Sequence, residues 1–244
     1  MGPAAGLLLA VALAPHGRAA DRPIRYVSFQ DGYVYYHAVV ADMPSRRVTA
    51  EAYYADKLTN ASKMIDAQRP AAAITGTFFG WKTQQPVADV VVNGKLVAQG
   101  NRGSAVGVDW YGQVKIFDTP YQREIDWYGY RHLLRGTVRL IRNGKVSPNP
   151  RAQHFTDIGL LGKAPRTGIG LTASGELVMM ATNNRVTLRE FGNAMKRLGV
   201  VNAVSLDGGG STMLYYRGKL VIPPKRGLST IFILHERPLD KPKG

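Results

Sequence analysis

Turn dipeptides that force antiparallel pairing recur along this chain. Asp31-Gly32 separates two apolar-rich runs at residues 24–30 and 33–40. Asn93-Gly94 stands between Val90-Val91-Val92 and Leu96-Val97, and Asn143-Gly144 between Leu140-Ile141 and Val146. Ser174-Gly175 and Arg217-Gly218 repeat the device. Two-residue loops of this kind take positive φ, which Gly and Asn tolerate, and their twist matches that of two antiparallel strands. A chain punctuated in this way is an α+β protein with a hairpin-rich, mostly antiparallel or mixed twisted β-sheet core. The turns keep no fixed spacing, so they are recurring hairpins and not a solenoid.

A few helices flank that core. Residues 59–68 begin with a capping residue and end before Pro70. Thr187-Leu188-Arg189-Glu190 reads as a capping box, in which the Thr hydroxyl and the Glu carboxylate each close an orphan N–H. Phe191, Met195 and Leu198 follow at helical spacing, and Gly199 ends the helix. The apolar run at 200–206 is the next strand. With 244 residues, 45% of them hydrophobic, and no linker, the chain forms one domain from 21 to 244.

Residues 1–20 differ. An apolar stretch at 6–14 is followed by Pro15 and Gly17-Arg18-Ala19-Ala20, the layout of a secretory signal. The mature protein is therefore expected outside the cytoplasm, periplasmic or secreted, with no transmembrane segment. The absence of Cys excludes disulfides, thiolate metal sites and a Cys nucleophile. A formal charge of +15 favours polyanions. For an exported protein the expected partner is an anionic cell-envelope polymer or phosphorylated glycan, not nucleic acid.

The chemistry concentrates in Ser205-Leu206-Asp207-Gly208-Gly209-Gly210-Ser211-Thr212. A strand delivers one carboxylate into three glycines and two hydroxyls. Consecutive glycines cost chain entropy and persist where backbone passes something closely or takes positive φ. Their N–H groups can converge into an anion-binding nest. The stretch reads as a carboxylate beside a phosphate cradle, against the plainer reading of a tight turn closed by Asp207 itself. Other elements are Arg166-Thr167-Gly168-Ile169-Gly170, its looser echo at Arg102-Gly103-Ser104, Thr75-Gly76-Thr77-Phe78-Phe79, and Gly136-Thr137-Val138-Arg139-Leu140. Phe78 and Phe79 taken alone read as core.

In this order the elements resemble the phosphodiester glycosidase family, over about 48–221. That family shows Asn-Gly-Gly-Phe-Phe-like, Gly-Gly-Pro-like, Arg-Thr-x-x-Gly and Leu-Asp-Gly-Gly-Gly-Ser elements. Here Thr75 replaces the Asn, Thr77 the second Gly, and Gly136-Thr137-Val138 the Gly-Gly-Pro. The resemblance implies hydrolysis of a sugar C1–O–phosphate bond, with Asp207 as nucleophile or base and Glu190 as the candidate second carboxylate. Asp89 and Asp157 are further possibilities. Substrate or phosphate contacts are expected from Arg166, Thr167, Gly208, Gly209, Gly210, Ser211 and Thr212, and from Thr75, Arg102 and Arg139. Arg166 suits a phosphate because its planar fork matches two oxygens; the alternative is a brace for the loop. No cofactor is required, and a divalent cation between Asp207 and the phosphate is compatible with the sequence. His37, His132, His154 and His235 lack a second His at ligand spacing and read as packing or polar residues. Two other classes stand beside this reading: a non-catalytic polysaccharide binder, and a phosphodiesterase that cleaves P–O.

Overall fold

The computed structural model describes residues 22–237, so the candidate signal segment lies outside the described residues. Two antiparallel sheets face each other. The larger runs, in hydrogen-bonded order, Ile24–Asp31, Val34–Ala41, Leu177–Val186, Ala164–Thr172, Val200–Ser205, Tyr130–Arg142, Val90–Val92 and Lys95–Ala98. Ser104–Asp109 also pairs with Tyr130–Arg142 and carries Val114–Asp118 beside it. The smaller runs Lys219–Ile222, Leu214–Tyr216, Ala72–Thr75, Leu228–Glu236 and Val48–Thr59. Every pairing among the described strands is antiparallel.

The turn dipeptides close hairpins where their chemistry places them. Asn93 and Gly94 take φ of 49° and 76°, and Asn143 and Gly144 take 49° and 78°, the paired positive φ of a tight two-residue loop. Along Leu177–Val186, side chains alternate with the pleat. Leu177, Met179 and Ala181 join Ile74, Phe232 and Leu234 of the smaller sheet in the core between the sheets. Val178 and Met180 point the other way and pack with Phe191 and Met195 of the helix Leu188–Arg197. The outer face of the smaller sheet, Ala73, Ile231 and Ile233, is covered by Ala61 and Met64 of the helix Ala61–Gln68. The result is four layers: helix, sheet, sheet, helix.

Both helices start on side-chain caps. The box at Thr187 and Glu190 forms with both of its hydrogen bonds. The first helix begins one residue later than its sequence suggests, because Thr59 is still paired in the strand Val48–Thr59, and Asn60 becomes the cap. A short helix, Ile158–Leu161, has too few residues to show periodicity in the sequence.

The strand order sets the position of one stretch above all. Val200–Ser205 lies inside the larger sheet, between Ala164–Thr172 and Tyr130–Arg142. The chain then leaves that sheet through Leu206–Gly210 and re-enters the smaller one as Leu214–Tyr216, beside Ala72–Thr75. The Asp-Gly-Gly-Gly stretch is this crossing.

His132, in the strand Tyr130–Arg142, is 1% exposed, and among the described residues no hydrogen bond of normal geometry reaches either ring nitrogen. Burial pushes its pKa below the ordinary histidine value, against the opposing pull of Glu51. The unfolded chain therefore takes up this proton first, and stability falls as pH drops below about 6.5, the unperturbed value. We expect His132→Leu to flatten the acid side of a curve of Tm against pH. An equally steep curve in the variant would show that other groups control the acid transition.

Candidate active site

A cleft of about 490 Å3 opens over the crossing. Four aromatic rings, Phe78, Phe79, Trp81 and Phe155, form its walls. Three guanidinium groups, Arg102, Arg166 and Arg226, and two carboxylates, Asp157 and Asp207, supply its charge, and Gly208, Gly209 and Gly210 line its floor.

Main-chain bonds from both sheets hold Asp207. Its N–H donates to the Gly76 carbonyl (3.0 Å), and its own carbonyl accepts from Thr167 Oγ1 (2.5 Å). Thr75 Oγ1 donates to the Ser211 carbonyl at 2.5 Å, four residues further on. The backbone approach is too close for side chains. A Cβ on Gly208 would sit 2.5 Å from the Pro165 carbonyl oxygen, and one on Gly76 would sit 2.3 Å from Thr230 Oγ1. Gly209 and Gly210 open a single 3₁₀ turn, and among the described residues their N–H groups have no acceptor. Two donors thus stand unused on the cleft floor, the arrangement of an anion nest.

The Asp207 side chain is only 10% exposed. Burial raises its pKa to about 6, opposed by the Ser211 hydroxyl, Arg226 and the Gly208 N–H, and reinforced by the nearby Asp157. A carboxyl group raised this far in a cleft is a candidate for proton or nucleophilic chemistry. Arg226 Nη2 lies 3.6 Å from Asp207 Oδ2, and Arg226 Nε donates to Ser211 Oγ at 2.6 Å. Its guanidinium also lies over Trp81 (4.5 Å to the ring centroid) and Phe79 (5.1 Å).

Arg166 is 3% exposed and, among the described residues, has no carboxylate in ion-pair contact. Its Nε donates to the Val186 carbonyl (3.1 Å), and its Nη2 donates to the carbonyls of Leu160 (3.2 Å) and Gly162. Burial lowers its pKa to about 10, with Asp157 acting to raise it. Nη1 has no acceptor among the described residues. Arg166 thus braces main-chain carbonyls with Nε and Nη2 while also lining the cleft. Arg102 holds the other end of the same segment, its Nη1 donating to the His154 carbonyl at 2.7 Å. Phe155 and Asp157, between the two grips, face the cleft.

Several expected site residues lie elsewhere. Glu190 does not line the cleft: its Oε2 accepts from Thr187 N (2.7 Å) and Thr187 Oγ1 (2.9 Å), and its Oε1 lies 3.5 Å from Lys163 Nζ. The capping box accounts for it. Arg139 is also outside, donating to the Ile141 carbonyl and Asn202 Oδ1, because register turns it toward that neighbouring strand. Asp89 is locked to Arg135 (2.9 Å) and Trp127 Nε1 (3.0 Å). Thr75 and Thr167 support the turn from behind and do not line the cleft, and neither do Ser211 and Thr212. Thr212 Oγ1 is buried without a hydrogen-bond partner among the described residues.

Phe78 and Phe79, read from sequence as core, line the cleft, although Phe78 also packs on the core beneath. They follow Gly76, where the strand Ala72–Thr75 has ended and the chain bends over the crossing. Arg226, Trp81 and Phe155 escape sequence reading altogether. Each sits in an irregular segment, and the Pro223-Pro224 preceding Arg226 is the nearest signal, marking a loop but not its position.

Residues 68–239 match the family model described as Phosphodiester glycosidase. N-acetylglucosamine-1-phosphodiester alpha-N-acetylglucosaminidase of Mus musculus is 27% identical over 192 residues, covering 67% of this chain and 37% of that protein. The Homo sapiens protein of the same name is 30% identical over 129 residues, covering 43% of this chain and 25% of its own length. The chain thus spans well under half of these curated relatives. Among solved structures, the zebrafish catalytic domain of that name, described as auto-inhibited by its pro-peptide, aligns with a TM-score of 0.74 at 20% identity. That alignment covers 90% of this chain and 85% of that one. A hypothetical protein from Synechocystis aligns at 0.68 and 16% identity, covering 88% of this chain and 61% of that one. These two likenesses are of fold. The family match takes in the whole Asp207 crossing and the greater part of both sheets, and the chain belongs to the phosphodiester glycosidase family.

Proposed function

We propose that this protein hydrolyses the glycosidic C1–O bond of a sugar-1-phosphodiester. One observation carries the reading: a buried carboxylate, Asp207, shares the cleft floor with unused N–H donors and a guanidinium stacked on aromatic rings. The named activity of the curated relatives points the same way. Aromatic walls suit the C–H faces of a sugar ring. Two carboxylates against three guanidinium groups form a donor set for an anion rather than for a divalent cation.

The leaving group explains the economy of the site. A phosphomonoester is weakly basic and departs without protonation, so stabilising its charge matters more than a general acid. The Gly209 and Gly210 N–H groups, Arg226, and the open edge of Arg166 supply that stabilisation. As the C1–O bond breaks, its electron pair stays on the phosphate oxygen, and Asp207 faces the oxocarbenium-like carbon. Water delivers hydroxyl to C1, and its proton goes to solvent through the carboxylate. Asp207 must be ionised for this, so the acid limb of kcat/KM should fall near its pKa of about 6.

Asp207→Asn removes the charge and keeps the size. We expect kcat to fall on the order of a hundredfold or more, with KM changing less. The same variant should be more heat-stable than the wild type at neutral pH. The folded state holds the Asp207 proton more tightly than the unfolded chain does, so its contribution to stability is full below the ordinary carboxylate pKa. That contribution is lost as pH rises through about 6. Near-normal turnover in folded Asp207→Asn would remove it from the chemistry.

Hydrolysis in oxygen-18 water tests which bond breaks. Label in the sugar product supports C1–O cleavage. Label in the phosphate would establish a P–O phosphodiesterase instead, and no turnover on any sugar-1-phosphodiester would leave an anionic-polysaccharide binder.

We place the activity outside the cytoplasm, on a phosphorylated glycan or other anionic envelope polymer, on the strength of the apolar run at 6–14 and the charge of +15. Mass spectrometry of the native protein should find an N-terminus near Ala20 or Asp21. An intact N-terminus in the cytosol would refute export.

A further inference from the structure

We propose that Arg226 is a positioning residue that couples anion binding in the cleft to the charge on Asp207. The inference rests on the glycosidase reading for its purpose, but its geometry stands independently.

Arg226 is attached by one donor only. Nε–H is bonded to Ser211 Oγ, while Nη1 and Nη2 have no hydrogen-bond acceptor among the described residues. The 3.6 Å separation from Asp207 Oδ2 is within ion-pair reach yet too long for a good hydrogen bond. Stacking over Trp81 and Phe79 holds the plane of the guanidinium. The Lys225 N–H, bonded to the Gly210 carbonyl at 2.8 Å, ties its backbone to the glycine turn. The side chain is 27% exposed, so an incoming anion can reach the unused donors.

The same guanidinium thus faces the carboxylate on one side and the anion position on the other. In the empty cleft it favours ionised Asp207. An anion placed beside Gly209 and Gly210 draws part of that field and adds its own repulsion, so Asp207 binds a proton more readily. Linkage requires the reverse as well: protonating Asp207 must tighten anion binding by the same factor. The other charged groups lining the cleft are Asp157, which raises the Asp207 pKa, and Arg166 and Arg102, which grip main-chain carbonyls. Of the three arginines, Arg226 is the one in ion-pair contact with Asp207. The consequence for turnover is directional. Above its own second pKa of about 6 the phosphomonoester product carries more negative charge than the diester, so there it raises the Asp207 pKa further than the substrate does.

The test uses sulfate, whose charge is constant across the titration, with the intact protein and no substrate. Calorimetry measures sulfate affinity against pH, and carbon-13 NMR follows the Asp207 carboxyl. In the wild type, saturating sulfate should raise the Asp207 midpoint, and sulfate should bind more tightly as pH falls through about 6. In Arg226→Gln the midpoint should lie higher without any anion, by on the order of one pH unit, and sulfate affinity should drop on the order of tenfold. Arg226→Lys keeps the charge but loses the stacked fork, and should recover the midpoint better than the affinity. If Arg226→Gln proves unfolded by melting, the lysine variant carries the comparison through its sulfate affinity, which should still fall below that of the wild type; an unchanged affinity would then overturn the coupling. An Asp207 midpoint that ignores sulfate, or is equal in folded wild type and both variants, overturns the coupling. Oxygen-18 labelling decides the glycosidase reading separately, so either can fail without the other.

Discussion

The hydrogen bond from the Asp207 N–H to the Gly76 carbonyl ties together the two sheets at the point where the chain crosses between them. Everything in the cleft depends on that crossing being fixed. The strand Val200–Ser205 is buried in the larger sheet and Leu214–Tyr216 in the smaller, so the intervening residues span a junction that neither ladder satisfies. Thr167 closes one carbonyl from the larger sheet and Thr75 another from the smaller. A backbone so fastened carries the Asp207 carboxylate with little freedom, and a site that must stabilise a transition state benefits from donors already in place.

Electrostatics then works against stability. Burial holds the Asp207 pKa near 6, and Arg166 stays charged while 3% exposed, with main-chain carbonyls for company. Buried charges without full ionic partners are costly. The surrounding four-layer core, with Leu177, Met179, Phe232 and Phe191 fully buried, offsets that cost by area removed from water. The contrast with Asp89 and Arg135 is instructive. That pair is as deeply buried but matched, oxygen to nitrogen at 2.9 Å, and Arg135 also donates to the loop carbonyls of Gly100 and Pro120.

The sequence was most legible where partners are close along the chain. Asn93-Gly94 and Asn143-Gly144 announce hairpins because their φ preference is intrinsic, and Thr187 and Glu190 announce a helix start because both halves of the box lie within four residues. The same locality explains the Glu190 expectation: a carboxylate whose role is complete within its own turn has no need of a cleft. Arg226 is the opposite case. It lies 19 residues after Asp207 in an irregular loop, and only the pairing of Leu214–Tyr216 with Lys219–Ile222 returns the chain to the crossing. Trp81 and Phe155 come from loops with no period to read. Arg139 lies outside the cleft because strand register points it at Asn202, and register is a property of the neighbouring strand.

The wall of the cleft at residues 154–162 is gripped at both ends through carbonyl oxygens, by Arg102 at His154 and by Arg166 at Leu160 and Gly162. A carbonyl is present whatever side chain the residue bears. The two grips are therefore made without the Phe155 side chain, and a substitution there can reshape the face shown to a ligand while the attachment persists; Asp157 differs, because its Oδ1 caps the short helix by accepting from Leu160 N at 2.9 Å. Within such an arrangement, preference among ligands can drift by mutation of a few residues without the scaffold having to be reinvented.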